Sequence, residues 1–391
     1  MHQQEWANDS CCDYLESFGN PRITRIGDRL AELSDGLFAI VDGNSEKVVL
    51  DPDEAANQYY ERLSITQNKR FELALGSARE PAATLDGTKV EVVAIIGSVE
   101  DAEIAFKYGA EGVGLLRTEF LFLDRENAPD EDEQFEIYRR ILRVLGDLLV
   151  VLRTLDIGGD KIAPYLSIEP ELNPFLGVRG TRLMLAHSNF FQTQLRALLR
   201  SGIGHTLIIM FPMICSLQEI VKVKENVIAV QTYLERRGIP FIRIAEYGIM
   251  VEISSAAVLA DKTAQEVGFF SIGTNDLSQY TLAADRTNPF VASMADALDH
   301  SVLRLIRMVV DAAHRHHRWV GVFGELAGNI FVTPVLIGLG IDELSANPRA
   351  VPMVKQAVRC FSSEETRQIA ERALQMPALE EARAYLARFH Y

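Results

Sequence analysis

A chain of 391 residues, 48% of them hydrophobic, can bury the core of one large domain or two smaller ones, and a single α/β barrel commonly takes about 250 residues. A formal net charge of −15 excludes the clustered basic surface that nucleic acid or an anionic membrane would demand. With 4 cysteines, of which only Cys11 and Cys12 adjoin while Cys215 and Cys360 lie far apart, the chain has neither a disulfide framework nor a Cys-x-x-Cys metal pattern, which fits a reducing cytoplasm.

The first stretch, MHQQEWANDSCCDY, is polar and acidic where a signal peptide would be basic and then apolar. No run of 18 apolar residues follows, so the expectation is a soluble, intracellular protein. Between 37 and 50, LFAIV and KVVL flank DGNSE, a hairpin signal that Asp51-Pro52 ends, and residues 53 to about 78 have a helical pattern.

From 85 onward a short apolar strand, a turn rich in Gly, Asn or Asp and an amphipathic helix alternate to the C-terminus, a pattern that predicts parallel strands with crossover helices. The strands are expected at 90–96, 112–118, 148–155, 207–213, 247–252, 269–273, 319–324 and 343–346. Eight such units imply an α/β fold, a (β/α)₈ TIM barrel. Ser98 to Asp101 resembles a capping box, and the acidic DEDE at 130–133 opens a helix that ends near Gly146.

In a barrel of this kind the functional face lies at the carboxyl ends of the strands, so the polar residues ending each apolar run carry the chemistry. Arg117 closes the second strand in GVGLLRTE, Arg153 the third in LLVVLRTL, and Arg179 follows in NPFLGVRGTR. Three guanidinium groups at one mouth would be costly to bury without compensation, and an anion with several oxygens matches their forked donors. A structural ion pair with a local acid such as Glu119 or Asp156 is the alternative for any one of them. Strand five ends in Glu252 and strand six leads into Asn275 and Asp276, a pair of carboxylates suited to a hard divalent cation, Mg²⁺ or Mn²⁺. The same acids could instead merely neutralise the arginines. Asn275 would add an amide donor and Arg286 a further cation. The loop DIGGDK, from Asp156 to Lys161, is compatible with phosphate or a carboxylate, but neither GxxxxGK[ST] nor GxGxxG is present. His314, His316 and His317 sit near the end of a predicted helix, where positive charge suits the dipole and a solvated surface explains them.

Taken together, GVGLLRTEFLFLDR, DEQFEIYRRIL, RTLDIGGDK, NPFLGVRGTR, IMFPMI, SIGTNDLSQYTLAADR and GELAG resemble the phosphoenolpyruvate-binding domain of Enzyme I of the bacterial sugar phosphotransferase system. Pyruvate phosphate dikinase and phosphoenolpyruvate synthase share the barrel and parts of these motifs. The resemblance runs from about residue 85 to 380. It implies a homodimeric, Mg²⁺-dependent barrel that binds phosphoenolpyruvate and passes its phosphoryl group to a histidine on a swivelling domain. Carried over by motif, the substrate contacts are Arg117, Arg153, Arg179, Asn275 and Arg286, and the metal ligands are Glu252 and Asp276. Arg117 is then expected to be buried in its apolar run because it holds phosphate.

Two departures qualify the resemblance. None of the eight histidines lies in the family's Gly-Gly-x-x-Ser-His setting. The expected organisation is therefore a remnant of the swivelling domain at 1–52, a helical linker at 53–84 and the barrel at 85–391, with the phosphohistidine domain or an HPr-like protein supplied in trans. On strand seven, Phe323 stands where the family has the cysteine proposed to protonate the pyruvate enolate, and phenylalanine cannot donate a proton. Cys215 is a remote stand-in, and Ile95 replaces an asparagine usual on strand one. The expected activity is phosphoenolpyruvate-protein phosphotransferase. The alternative is a catalytically impaired regulatory or dimerising module that still binds phosphoenolpyruvate, and a lyase of the same barrel type would need no phosphohistidine domain.

Overall fold

The chain alternates strand and helix because short β-branched runs such as EVVAII and LVVLR are bounded by glycine and capped helices. The structure, a computed structural model, describes residues 36–43, 47–159, 163–166, 169–244 and 246–389. Cys11, Cys12, most of the DGNSE turn and Lys161 of the DIGGDK loop lie outside the described residues.

Strands β1 (Ala39–Asp42) and β2 (Lys47–Leu50) form the expected antiparallel hairpin, and none of its described residues is buried. The helix Glu54–Gly76 follows, with Asp53 accepting from the Ala56 N–H at 2.7 Å as its N-cap. Of its residues only Ala74 is buried, so the helix is an arm held by its last turn.

Eight parallel strands then close a barrel: β3 (Glu91–Ile96), β4 (Gly112–Leu116), β5 (Leu149–Arg153), β6 (Leu207–Phe211), β7 (Tyr247–Val251), β8 (Phe269–Gly273), β9 (Trp319–Phe323) and β10 (Glu343–Ala346), with β10 paired back to β3. This is the (β/α)₈ architecture that the alternation predicts. Five strands stop one or two residues short of the expected carboxyl end. At those positions the backbone leaves the ladder to build the mouth, so Arg117 and Glu252 follow their strands while Arg153 still ends β5.

Along each strand side chains alternate between the helical shell and the lumen. Leu115, Val151, Met210, Met250, Phe269 and Phe323 form an inner apolar cluster, distinct from the larger core between strands and helices. Trp319 stacks on Phe269 with centroids 4.4 Å apart. Glu343 also points inward, and Gly114 and Gly321 make room for it: a Cβ on either would come within 2.8 Å of Glu343 Oε1.

Helix punctuation departs from the sequence in one detail. Ser98 caps the helix Val99–Lys107 by accepting from Asp101 N, but the short Asp101 side chain takes the N–H of Gly97 and not that of Ser98, so the box is not closed. The helix Glu131–Leu145 begins and ends as expected, between Asp130 and Gly146. Complete capping boxes occur instead at Ser216 with Glu219 and at Ser362 with Glu365.

The arm meets the barrel at its amino-terminal floor. Lys355, fully buried on the helix Val351–Val358, donates to the carbonyls of Ala78 at 2.7 Å and Gly109 at 3.0 Å and lies 3.8 Å from Glu111. Arg359, four residues later, donates to the carbonyls of Ser77, Glu80 and Pro81. Among the described residues no helix is long and apolar enough to cross a membrane.

Candidate active site

At the carboxyl end of the barrel, residues from four strand exits, those of β4, β5, β7 and β8, converge on a buried knot of charge. Arg153 is 5% exposed; its Nη2 donates to Glu119 Oε1 at 2.8 Å, and its Nη1 lies 3.2 Å from Asp156 Oδ2. Arg179, 3% exposed, meets Asp156 fork to fork, with Nε and Nη2 each 3.1 Å from a carboxylate oxygen, and its Nη1 donates to Asp276 at 3.1 Å. Arg286 approaches the other Asp276 oxygen at 3.5 Å. Both Glu119 and Asp156, set aside above as partners for a structural ion pair, thus do pair with the arginines, yet they tie two of them into one cluster.

Local backbone makes this possible. Asp276 lies in the first turn of the helix Thr274–Leu282, where an acid suits the helix dipole. Gly180 brings Arg179 against Asp156 at a positive φ of 56°, and a Cβ there would sit 3.0 Å from Asp156 Oδ1 and 2.9 Å from Met213 Cγ. Met213 itself holds φ 56°, uncommon for a residue with a side chain, and its N–H donates to Glu252 Oε1 at 2.5 Å.

The charges do not cancel uniformly. Burial pulls Arg153 and Arg179 toward neutrality, but the surrounding carboxylates outweigh it and keep both guanidiniums protonated. Asp276 is pushed up by burial and more than compensated by Arg179 and Arg286, so it stays below the ordinary carboxylate range. Glu252 goes the other way: burial and the charges of Asp276 and Asp156 raise it well above that range. Four side-chain atoms in and beside the knot are buried without a hydrogen-bond partner: Glu252 Oε2, Glu119 Oε2, Arg153 Nε and Gln279 Nε2. An unmet acceptor and an unmet donor within one buried cluster are what a bound cation and anion would satisfy.

These atoms test the metal expectation. Glu252 offers a bare oxygen in an acid-rich setting, and Asp276 is ionised beside it, so the pair fits a hard divalent cation. Among the described residues no group of three or more His, Cys, Asp or Glu is arranged to hold a metal, so a cation here would draw its remaining oxygens from substrate and water.

Two expectations need correction or refinement. Arg117 is not buried but intermediate: β4 ends at Leu116, leaving its side chain at the rim, where water can solvate it. Its backbone N–H donates to Ile96 O at 2.9 Å, and its charge partly offsets the rise that burial imposes on Asp101. Asn275, half-buried, adjoins the knot beside Gly324, whose missing Cβ would lie 3.3 Å from Asn275 Oδ1. Phe323 projects into the lumen, its ring filling the space that Gly273 leaves: a Cβ there would be 2.6 Å from the ring and 3.3 Å from Glu252 Cβ. The floor of the mouth beside Glu252 is therefore apolar. Cys215 lies after β6 with its backbone N–H on Glu219, and His314 pairs with Asp342 at 2.8 Å.

Tyr280 was not among the sequence candidates. Its hydroxyl lies 3.5 Å from Arg179 Nη1 and donates to Phe175 O at 2.6 Å, joining the knot to the NPFLG loop. It belongs to SIGTNDLSQYTLAADR, one helical turn beyond Asp276, and that i, i+4 spacing was the available signal.

Comparison with known proteins follows the same residues. Residues 74–363 match the family described as PEP-utilising enzyme, PEP-binding domain. A phosphoenolpyruvate-protein phosphotransferase of Geobacillus stearothermophilus is 44% identical over 92% of this chain and 62% of its own length. That of Bacillus subtilis (strain 168) is 42% identical over 90% of this chain and 62% of its own. A multiphosphoryl transfer protein of Xanthomonas campestris pv. campestris is 42% identical over 94% of this chain and 43% of its own. The chain thus spans between about two fifths and three fifths of these relatives. Among solved structures, a citrate lyase of Burkholderia xenovorans LB400 is 15% identical with a TM-score of 0.46, covering 79% of this chain and 91% of that one, a likeness too distant to bear on function.

Proposed function

Since the chain belongs to the phosphoenolpyruvate-utilising enzymes, through their phosphoenolpyruvate-binding domain, we propose that it is an Enzyme I-like phosphoenolpyruvate-protein phosphotransferase component. Its barrel mouth binds phosphoenolpyruvate with Mg²⁺. The phosphoryl group passes to a histidine on another domain or an HPr-like chain, as part of sugar transport in the cytoplasm. The observation that carries the reading is the buried Arg153–Arg179 knot with its unmet donor and acceptor, on the residues that the motifs single out.

In this reading Arg117, Arg153, Arg179, Asn275 and Arg286 hold the phosphate and carboxylate oxygens, and Glu252 and Asp276 hold the metal. A bound Mg²⁺ would supply charge neutralisation at the phosphoryl oxygens. The chain's own part is to orient the anion and keep the arginines charged in a water-poor mouth, where fixed charge stabilises the transferring group most. Residues 1–52 belong to a swivelling domain of which the hairpin is the last part, 53–84 is the linker and 85–391 the barrel, which pairs with a second copy. Phe323 supports a second reading, an impaired module that binds phosphoenolpyruvate and regulates or dimerises without turnover.

Calorimetric titration with phosphoenolpyruvate tests both readings at their common root. Metal-dependent binding is expected, lost in Arg153→Ala and weakened in Arg117→Ala. Absence of binding at millimolar ligand, with or without Mg²⁺, would reject both.

A further inference from the structure

Behind the arginines lies a second buried layer that touches no opening. Gln194, on the helix Ser188–Ser201, is 0% exposed, as are Thr118 after β4 and Tyr138 on the helix Glu131–Leu145. The Gln194 amide nitrogen donates to Thr118 Oγ1 at 3.2 Å and reaches the Tyr138 hydroxyl at 3.3 Å, while its oxygen accepts the N–H of Leu155 at 3.0 Å. Thr118 Oγ1 donates in turn to the carbonyl of Arg153 at 3.1 Å. Glu119, the next residue, accepts from Arg153 Nη2 at 2.8 Å and from Asp156 N at 3.0 Å.

These bonds fix the turn from Arg153 to Asp156 at its Arg153 carbonyl and its Leu155 and Asp156 N–H groups. This turn carries both an arginine of the knot, Arg153, and the acid that meets Arg179 fork to fork, Asp156. Gln194 spends its oxygen on this turn and its nitrogen on Thr118 and the Tyr138 hydroxyl, so a primary amide in the apolar shell is paired at both ends and bridges the turn to its β4 neighbour.

We infer that Gln194, acting through Thr118, is a positioning residue for anion binding: it sets the Arg153–Asp156 turn and thereby the angle of two guanidinium groups at the mouth. The inference rests on the phosphoenolpyruvate reading and adds to it a residue far from any ligand contact. Where the buried members are paired, as Gln194 and Thr118 are, such a network holds a single geometry, and a partly emptied one does not.

The test is titration of the full chain with phosphoenolpyruvate and Mg²⁺, comparing wild type with Gln194→Met, Thr118→Val, the double variant and Thr118→Ser. Each of the first two is expected to weaken binding about tenfold. The double variant should be no weaker than the worse single one, and Thr118→Ser, which keeps the hydroxyl, should bind like wild type. Multiplying losses, or a Thr118→Ser as weak as Thr118→Val, would show that packing matters and not the bonded chain, and would overturn the inference. Unaltered affinity in both single variants would do the same. If Gln194→Met does not fold, the Thr118 pair decides alone. A wild type that binds no phosphoenolpyruvate would overturn the functional reading itself, and this inference with it.

Discussion

The two ends of the barrel bury charge in opposite ways. At the floor, Lys355 is surrounded by main-chain carbonyls and one acid, and Glu343 has no cation beside it among the described residues: it accepts from the Ser345 hydroxyl at 3.0 Å, and burial pushes its pKa up to about 8, so it is kept neutral. At the mouth, Glu119, Asp156 and Asp276 share three arginines with Glu252 beside them, and donors and acceptors still stay unmet. A floor that settles each buried charge locally needs nothing further, whereas a mouth that holds several in mutual tension is built for something to arrive.

The largest effect that would sharpen this contrast is expected from Phe323→Cys. Restoring a proton donor beside Glu252 should raise pyruvate formation, with a phosphohistidine domain supplied, by about 10²- to 10⁴-fold, the usual worth of a general acid. Unchanged turnover with phosphoenolpyruvate still bound would mean that the mouth lacks more than this proton.

Next in size is Lys355→Met. It strips donors from two carbonyls and leaves Glu111 without its cation, so urea unfolding should show a loss of about 2–4 kcal/mol. Phosphoenolpyruvate affinity should stay within about twofold, since the clamp lies at the far end of the barrel. A large loss of affinity would break the separation of floor from mouth.

The smallest effect concerns pH. Glu343 in the folded chain titrates near 8 against an ordinary 4.5, so between those values the native state holds a proton that the unfolded chain has released. Its contribution to stability therefore falls as pH rises through that window and is constant above it. Glu252 acts in the same direction. In Glu343→Gln the unfolding midpoint should decline less steeply from about pH 5 to 8, because one of the two acids is gone. An unchanged slope would show that Glu343 is already ionised at the floor.

Much of this was legible in the chain. The strands followed from apolar runs bounded by turns; Arg153, Glu252 and Asp276 were singled out by the rule that chemistry sits at strand ends, and Arg179 and Arg286 by the motifs that contain them. What was misjudged was the last residue of a strand: an apolar run continues through Leu116 while the ladder does not, so Arg117 emerged at the rim. Invisible altogether were partners met only through folding. Gln194 is one glutamine among others on an amphipathic helix, and its distance of 76 residues from Thr118 leaves no local trace. Lys355, likewise, has the sequence neighbourhood of any solvated lysine, though it reaches across 277 residues to Ala78.

The grip that Lys355 and Arg359 take on the connector is made mostly on main-chain oxygens, those of Ser77, Ala78, Glu80 and Pro81, with the Ser77 hydroxyl as an added side-chain contact. Every amino acid presents such an oxygen, so the joint is nearly blind to the side chains it holds. A different arm could be spliced ahead of residue 77 and still seat in the same socket, which makes this barrel a platform whose attachments can be exchanged without redesigning the base.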